Sequence, residues 1–218
     1  MKFLNNFQII ESLLWENENI FLENFHILRM ENSAKYFSFN FSKKVLQNKL
    51  SNISKKFFEI NQNNDIKNSY KIRIFLSKNG ELDIKNEIIK NFSDPKNIII
   101  SEQKVNSKNE FLYHKTTYKP LYEQEYKKAK EKNFFGVIFL NEKNEITEAN
   151  SSNIFIQKNN KLFTPPIKCG LLAGTFRDFL LQQKKCTEKI LTINDLKTAD
   201  KILLGNSVRR FQEVVVKN

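Results

Sequence analysis

The sequence predicts a mixed α/β protein, α+β in class, folded as two lobes. Three observations carry that expectation. Tyr70 to Leu76 alternates apolar and polar residues, meets Asn79-Gly80, and resumes from Leu82, the pattern of a β-hairpin. Two earlier stretches repeat apolar residues at helical spacing, around 24–37 and 42–58. Beyond residue 134 the chain breaks into short apolar runs separated by turn residues, with few parallel crossover units.

Taken in order, Phe7 to Trp15 alternates loosely, Glu16-Asn17-Glu18-Asn19 is a polar turn, and Ile20-Phe21-Leu22 returns as a second strand. A helix then opens with Asn24 as its N-cap, and Phe25, Leu28, Ala34 and Phe37 form its apolar face. Ser42 to Phe58 makes a second amphipathic helix on Val45, Leu46, Leu50, Ile53 and Phe57, and a polar connection spans 61–68. After the hairpin, a short strand lies over 97–101 and a solvated, mixed-charge linker over 101–109. That linker divides the chain into a smaller N-terminal α/β lobe, 1–104, and a C-terminal lobe, 105–218. A helix over 121–132 leads into Phe134 to Leu140, a run apolar enough for a buried strand. Strands follow at 146–148, 153–157 and 161–164, the last stopped by Pro165-Pro166, which cannot donate to a ladder. A helix opens at Gly174 and runs to about Gln183, and strands at 202–204 and 212–216 close the chain.

Composition narrows the class. Hydrophobic residues at 40% and charged residues at 28% suit a globular core, and no apolar run reaches the 18 residues of a membrane span. The N-terminus interrupts its apolar residues with Lys2, Asn5, Asn6 and Gln8, unlike a secretory signal, so a cytoplasmic location is expected. Cys169 and Cys186 have neither metal-type nor disulfide-framework spacing, and with His26 and His114 as the only histidines no metal site is expected. The net charge of +12 comes from lysines scattered along the whole chain, which argues against a nucleic-acid groove. Compositional bias toward Lys, Asn, Ile and Phe explains the scatter, and a positive field welcoming small anions stays open.

Three segments carry candidate chemistry. In Phe111-Leu112-Tyr113-His114-Lys115-Thr116-Thr117, a lysine follows an apolar run. Shelter disfavours its charged form and makes it a usable nucleophile or base, although a solvated lysine fits the same string. In Ile146 to Phe155, Glu148 and several small polar residues sit between strands, either as an ordinary turn or as a carboxylate ready to pair a cation. In Thr164 to Arg177, Gly174-Thr175 opens a helix, the way backbone amides are presented to a phosphate, or simply a capped helix after a proline stop.

Joined, these segments resemble the class IV aminotransferases, the fold type IV enzymes of pyridoxal phosphate. Phe25-His26-Ile27-Leu28-Arg29, His114 to Thr117, Thr147 to Phe155, Thr164 to Arg177, and Ala199-Asp200 through Asn206-Ser207-Val208-Arg209 occur in family order, and the likeness runs from about Glu11 to Val216. The resemblance implies a two-lobed fold with its active site between the lobes, and pyridoxal 5'-phosphate as cofactor. It makes Lys115 the cofactor-binding and catalytic lysine and Glu148 the partner of the pyridine nitrogen. It makes Arg29 a phosphate ligand, with Gly174, Thr175, Asn206 and Ser207 forming the rest of the phosphate cup. It also implies a homodimer and a small anionic substrate.

Within the family the likeness is greatest to the aminodeoxychorismate lyases, through Tyr113 to Thr117 and Glu11-Ser12-Leu13-Leu14-Trp15. That implies release of 4-aminobenzoate and pyruvate for folate synthesis, with an aminodeoxychorismate synthase component as a partner. A branched-chain or D-amino-acid transaminase using the same Lys115 and Glu148 is the alternative, and a basic binding protein on a retired enzyme fold is a third reading. The chain departs from the lyase pattern at Tyr118-Lys119, where asparagine and arginine are usual. It also departs at Gly205, where threonine is common, and at Arg210, where glycine is customary.

Overall fold

The computed structural model describes residues 7–64, 68–89 and 94–217. The chain forms two compact units, one from 1–91 with Lys115–Tyr118, the other from 92–114 with 119–218.

The first unit is a four-stranded antiparallel sheet with two helices. Its strands β1 (Ile9–Glu16), β2 (Asn19–Phe21), β3 (Tyr70–Leu76) and β4 (Leu82–Ile88) lie in the order β2-β1-β3-β4. Helix α1 spans Glu23–Phe37 and helix α2 spans Lys43–Gln62. β1 puts Ile9, Glu11, Leu13 and Trp15 on one buried face, as the two-residue period of a strand requires. Against it pack Ile27, Met30 and Ala34 of α1 and Leu46, Leu50 and Phe57 of α2. Trp15, Phe57 and Tyr70 make an aromatic cluster, with Phe57 and Tyr70 stacked at 4.0 Å, and the Trp15 indole donates to Ser54 Oγ at 2.8 Å. The expected hairpin forms at Asn79-Gly80, where Gly80 takes φ 94, a value that suits glycine.

The opening of α1 differs from expectation. Its N-cap is Leu22 in the left-handed region rather than Asn24, and Leu28 of the expected apolar face is 56% exposed. The buried stripe is His26, Ile27, Met30, Ser33 and Ala34. Two of its members are polar, so apolar spacing alone picks a rotated face. The 61–68 connection falls partly outside the described residues, and α2 runs on to Gln62.

In the second unit, β5 (Lys96–Ile100), β6 (Gly136–Leu140), β7 (Ile146–Ala149), β8 (Ser152–Lys158), β9 (Lys161–Thr164), β10 (Thr187–Glu188), β11 (Lys201–Asn206) and β12 (Arg210–Lys217) form one sheet. Its order is β10-β9-β8-β11-β12-β5-β6-β7, and β7 also pairs with β8. Six strands thus close into a ring, a barrel that leaves them no free edge. Helix α3 (Pro120–Glu131) makes the crossover between parallel β5 and β6, and α4 (Thr175–Gln182) and α5 (Ile193–Lys197) follow. β6 is buried on both faces, with Ile138 and Leu140 in one cluster and Val137 and Phe139 in another beside α3. β5 belongs to this unit, since it hydrogen-bonds to β12 and β6. The 101–109 stretch is not a free linker: Val105 bridges to Asn141, and Glu142 binds both the amide and the hydroxyl of Ser107.

Candidate active site

Lys115 and Arg29 belong to the first unit. Lys115 is half-buried, and its backbone is tied to β1, since its carbonyl accepts from the Ile10 amide at 2.9 Å. Thr116 bridges to Ile9, and Thr117 exchanges bonds with Gln8 through its amide and its hydroxyl. The 115–118 segment therefore extends the β1 ladder, which explains its place in this unit.

Beside it lies a charged group on the core side of β1. Glu11, 1% exposed, receives Nε and Nη2 of Arg29, each at 2.7 Å, in a two-pronged pair. His26 Nδ1 lies 2.7 Å from Glu11 Oε2, and since a carboxylate only accepts, Nδ1 carries the proton. His26 and Arg29 are one helical turn apart on α1, so a single face of the helix delivers both to the carboxylate. Burial alone would raise the Glu11 carboxyl, but the charges and hydrogen bonds of Arg29 and His26 outweigh it and bring it down to about 2. Burial pushes the His26 imidazole below its usual value against the pull of Glu11, with Arg29 and Lys115 adding to the depression. His26 is therefore neutral at pH 7, and the stable ion pair is Glu11–Arg29. The Arg29 fork that the sequence offers to a phosphate is thus also held by a carboxylate.

Glu148, Gly174, Thr175, Asn206 and Ser207 belong to the second unit. Glu148 sits on β7, 3% exposed. The Tyr122 hydroxyl donates to its Oε1 at 3.1 Å, the Leu172 amide to its Oε2 at 3.3 Å, and Lys119 Nζ lies 3.5 Å from Oε1. Burial, then the neighbouring Glu148 charge, pushes the Tyr122 phenol well above its usual range, so it remains a donor.

Strand register assembles the other residues. Glu148 pairs with Asn153 on β8, and Asn153 pairs with Gly205 on β11, a row across three adjacent strands. The Asn153 amide donates to the Leu172 carbonyl at 2.9 Å, and its Oδ1 would lie 1.9 Å from a Cβ built on Gly174. Gly174 caps the N-terminus of α4 and must lack a side chain for Asn153 to reach this connection. Asn206 donates to Ser152 Oγ at 2.9 Å, and its Oδ1 accepts the Val208 and Arg209 amides, which shapes the turn around buried Ser207. Arg177, buried on α4, anchors the same region by donating to the Pro165 carbonyl and pairing with Glu188.

The departures from the family pattern also have local accounts. A Cβ on Gly205 would meet the Phe155 ring at 2.4 Å, so threonine does not fit there. Arg210 has φ 54, a left-handed backbone that explains the customary glycine. Lys119 is drawn to Glu148. The sequence reading gave no role to Glu11, Tyr122 or Asn153. Glu11 left a signal, an acid on the inward phase of an apolar strand. Tyr122 left none and Asn153 only its place in the polar 146–155 segment, because their roles depend on which strands pair. Among the described residues no group of three or more His, Cys, Asp or Glu is placed to hold a metal ion, and no helix is long and apolar enough to cross a membrane.

Comparison with known proteins bears on the family and the fold. The sequence profile of amino-transferase class IV matches residues 8–216. A Schizosaccharomyces pombe protein provisionally assigned as an aminodeoxychorismate lyase is 28% identical over 215 residues, covering 93% of this chain and 86% of that protein. A Methanocaldococcus jannaschii protein, provisionally assigned as a branched-chain-amino-acid aminotransferase, is 35% identical over 90 residues, 38% of this chain and 31% of that one. A Mycobacterium tuberculosis structure, named as a hypothetical aminotransferase in its PLP-bound form, superposes with a TM-score of 0.83 at 16% identity, covering 96% of this chain and 81% of that one. The likeness to that structure establishes the fold. With the profile spanning nearly all of its length, this chain belongs to the class IV aminotransferase family.

Proposed function

We infer that this protein binds pyridoxal 5'-phosphate and acts as an aminodeoxychorismate lyase, releasing 4-aminobenzoate and pyruvate. The observation that carries the cofactor reading is Glu148. It is a carboxylate buried on a barrel strand, and three donors among the described residues reach its roughly four acceptor sites. That arrangement suits one further N–H donor such as a pyridinium. The N-terminal end of α4 at Gly174-Thr175 and the Asn206-Ser207 turn lie on strands and connections that Asn153 ties to Glu148, and a helix N-terminus favours a phosphate. The residues present therefore fit the group.

When bound, the cofactor supplies an electron sink conjugated to the substrate's amine-bearing carbon. Lys115 would hold the cofactor through Nζ, and the same Nζ, when free, would take the proton from the substrate's amine-bearing carbon. Loss of that proton, with cleavage of the C–O bond at the neighbouring carbon, would make the substrate's ring aromatic and release the enolate of pyruvate, which becomes pyruvate when the Lys115 ammonium returns the proton. Glu148 would keep the ring nitrogen protonated, the N-terminal end of α4 would receive the phosphate, and the resemblance gives Arg29, steadied by Glu11, a phosphate-binding part as well.

The lyase assignment rests on Tyr113 to Thr117 and on the near full-length similarity to the fission yeast protein. The 90-residue match to the archaeal aminotransferase favours the second reading, a branched-chain transaminase. Purified protein loaded with pyridoxal phosphate is treated with borohydride and then assayed with aminodeoxychorismate. A borohydride-fixed adduct that Lys115→Ala abolishes, with 4-aminobenzoate and pyruvate formed in equal amounts, is the expected result. An adduct without 4-aminobenzoate transfers the assignment to a transaminase. Absence of any adduct ends the cofactor reading.

A further inference from the structure

Lys119 is placed against the preference of its own helix. It occupies the N-cap of α3 ahead of Pro120 and makes no side-chain cap bond. A cation at a helix N-terminus opposes the helix dipole, and the residue before a proline is kept out of helical geometry, so neither capping nor propensity explains a lysine here. Its ammonium instead lies 4.7 Å from the centre of the Tyr122 ring and 3.5 Å from Glu148 Oε1. The Tyr122 ring stacks on Phe139 at 4.2 Å, so the surface under the ammonium is fixed, and the same ring's hydroxyl donates to the same Oε1. Glu148 is the one carboxylate recorded within ion-pair distance of Lys119 among the described residues. Within this unit Lys119 and Tyr122 are the titratable groups recorded in contact with Glu148, and Tyr122 is neutral.

We propose that Lys119 is a positioning residue that tunes Glu148: its ammonium draws part of the carboxylate's charge away from a bound ring nitrogen, lowering the nitrogen's affinity for its proton. This rests on the reading that Glu148 pairs with the pyridine nitrogen of pyridoxal phosphate. A nearby charge shifts protonation by about one to three pH units. The ring nitrogen should therefore hold its proton to a higher pH once Lys119 is neutralised. The family's usual arginine at this place would keep the cation, so Lys119→Arg should behave as the parent does.

The test uses pyridoxal phosphate labelled with nitrogen-15 in the ring, bound to the parent protein, Lys119→Met, Lys119→Gln and Lys119→Arg. The nitrogen shift is followed against pH, and cofactor affinity is measured by fluorescence titration. The expected result is a deprotonation midpoint raised by about one unit, tenfold in proton affinity, in the Met and Gln variants and restored in the Arg variant. A role confined to packing would leave the midpoint unmoved. Cofactor bound by all four proteins with one common midpoint overturns the tuning role and leaves the cofactor reading intact. No cofactor binding by the parent protein overturns both.

Discussion

Glu11 shows how one residue can link stability to the site. Removing one partner of a buried, hydrogen-bonded ion pair leaves the other charge uncompensated, which costs about 3–5 kcal/mol. Glu11→Gln should therefore lower the free energy of unfolding by roughly that amount at pH 7, measured by urea titration. The pH dependence has a definite sign. His26 has its folded value depressed below 6.5, so the unfolded chain takes up the proton first, and stability begins to fall as pH drops below about 6.5. Glu11 ionises in the native state down to about 2 against a normal 4.5, so its contribution is fully present above 4.5 and disappears as pH falls from there through 2. Two successive losses are expected in unfolding free energy against pH, and Glu11→Gln should remove the lower one. A profile flat between pH 7 and 3 would show that the cluster is not coupled to folding. Glu11 had no role in the sequence, although the two-residue alternation of β1 carries its inward phase, because its partners come from α1, whose buried face apolar spacing rotates away from His26.

Elements were legible where one local rule dominated. The Asn79-Gly80 hairpin, the buried β6 strand and the stop at Pro165-Pro166 each follow from turn chemistry or continuous apolarity, and each formed as expected. α5 was missed although Thr192 and Asp195 form a reciprocal capping box, a short signal that precedes only five helical residues. Closure of the barrel through β7–β8 was hidden, because pairing register depends on the folded sheet rather than on either strand alone. The α4 entrance combines both cases: its glycine was legible as a helix opening, yet the contact with Asn153, which requires that glycine, was not. Gly174→Ala tests the connection. Its Cβ would overlap Asn153 Oδ1, and overpacking of this kind costs about 1–3 kcal/mol. The melting temperature should fall, and pyridoxal phosphate affinity should fall more than in a variant equally destabilised on the exposed face of α2. Equal affinity in the two variants would mean that the α4 entrance does not serve the phosphate.

At the scale of the molecule, the net charge of +12 is the property that sequence alone left with two readings, solvated lysines or a field that gathers anions. The structure commits several lysines to local pairs, including Lys71 with Glu87, Lys128 with Glu125, Lys189 with Asp195 and Lys201 with Glu213. Such pairs are mostly exposed and contribute little to stability, but they cancel charge locally without altering the excess of 36 basic over 24 acidic residues. Long-range attraction follows the excess, whereas folding depends on the pairs. A phosphate-bearing cofactor should therefore load faster at low ionic strength, because a field of several kT concentrates counter-ions and salt screens it over about 8–10 Å. The expected outcome is a several-fold fall in the bimolecular loading rate of pyridoxal phosphate between roughly 20 and 200 mM salt, followed by stopped-flow absorbance. Pyridoxal, which lacks the phosphate, provides the control and should show little slope. Equal slopes for the two compounds would place the salt effect on the protein itself, and a flat line for both would reduce the charge to coding bias carried on solvated faces. A slope confined to the phosphate would give the scattered lysines a collective task that none of them performs singly.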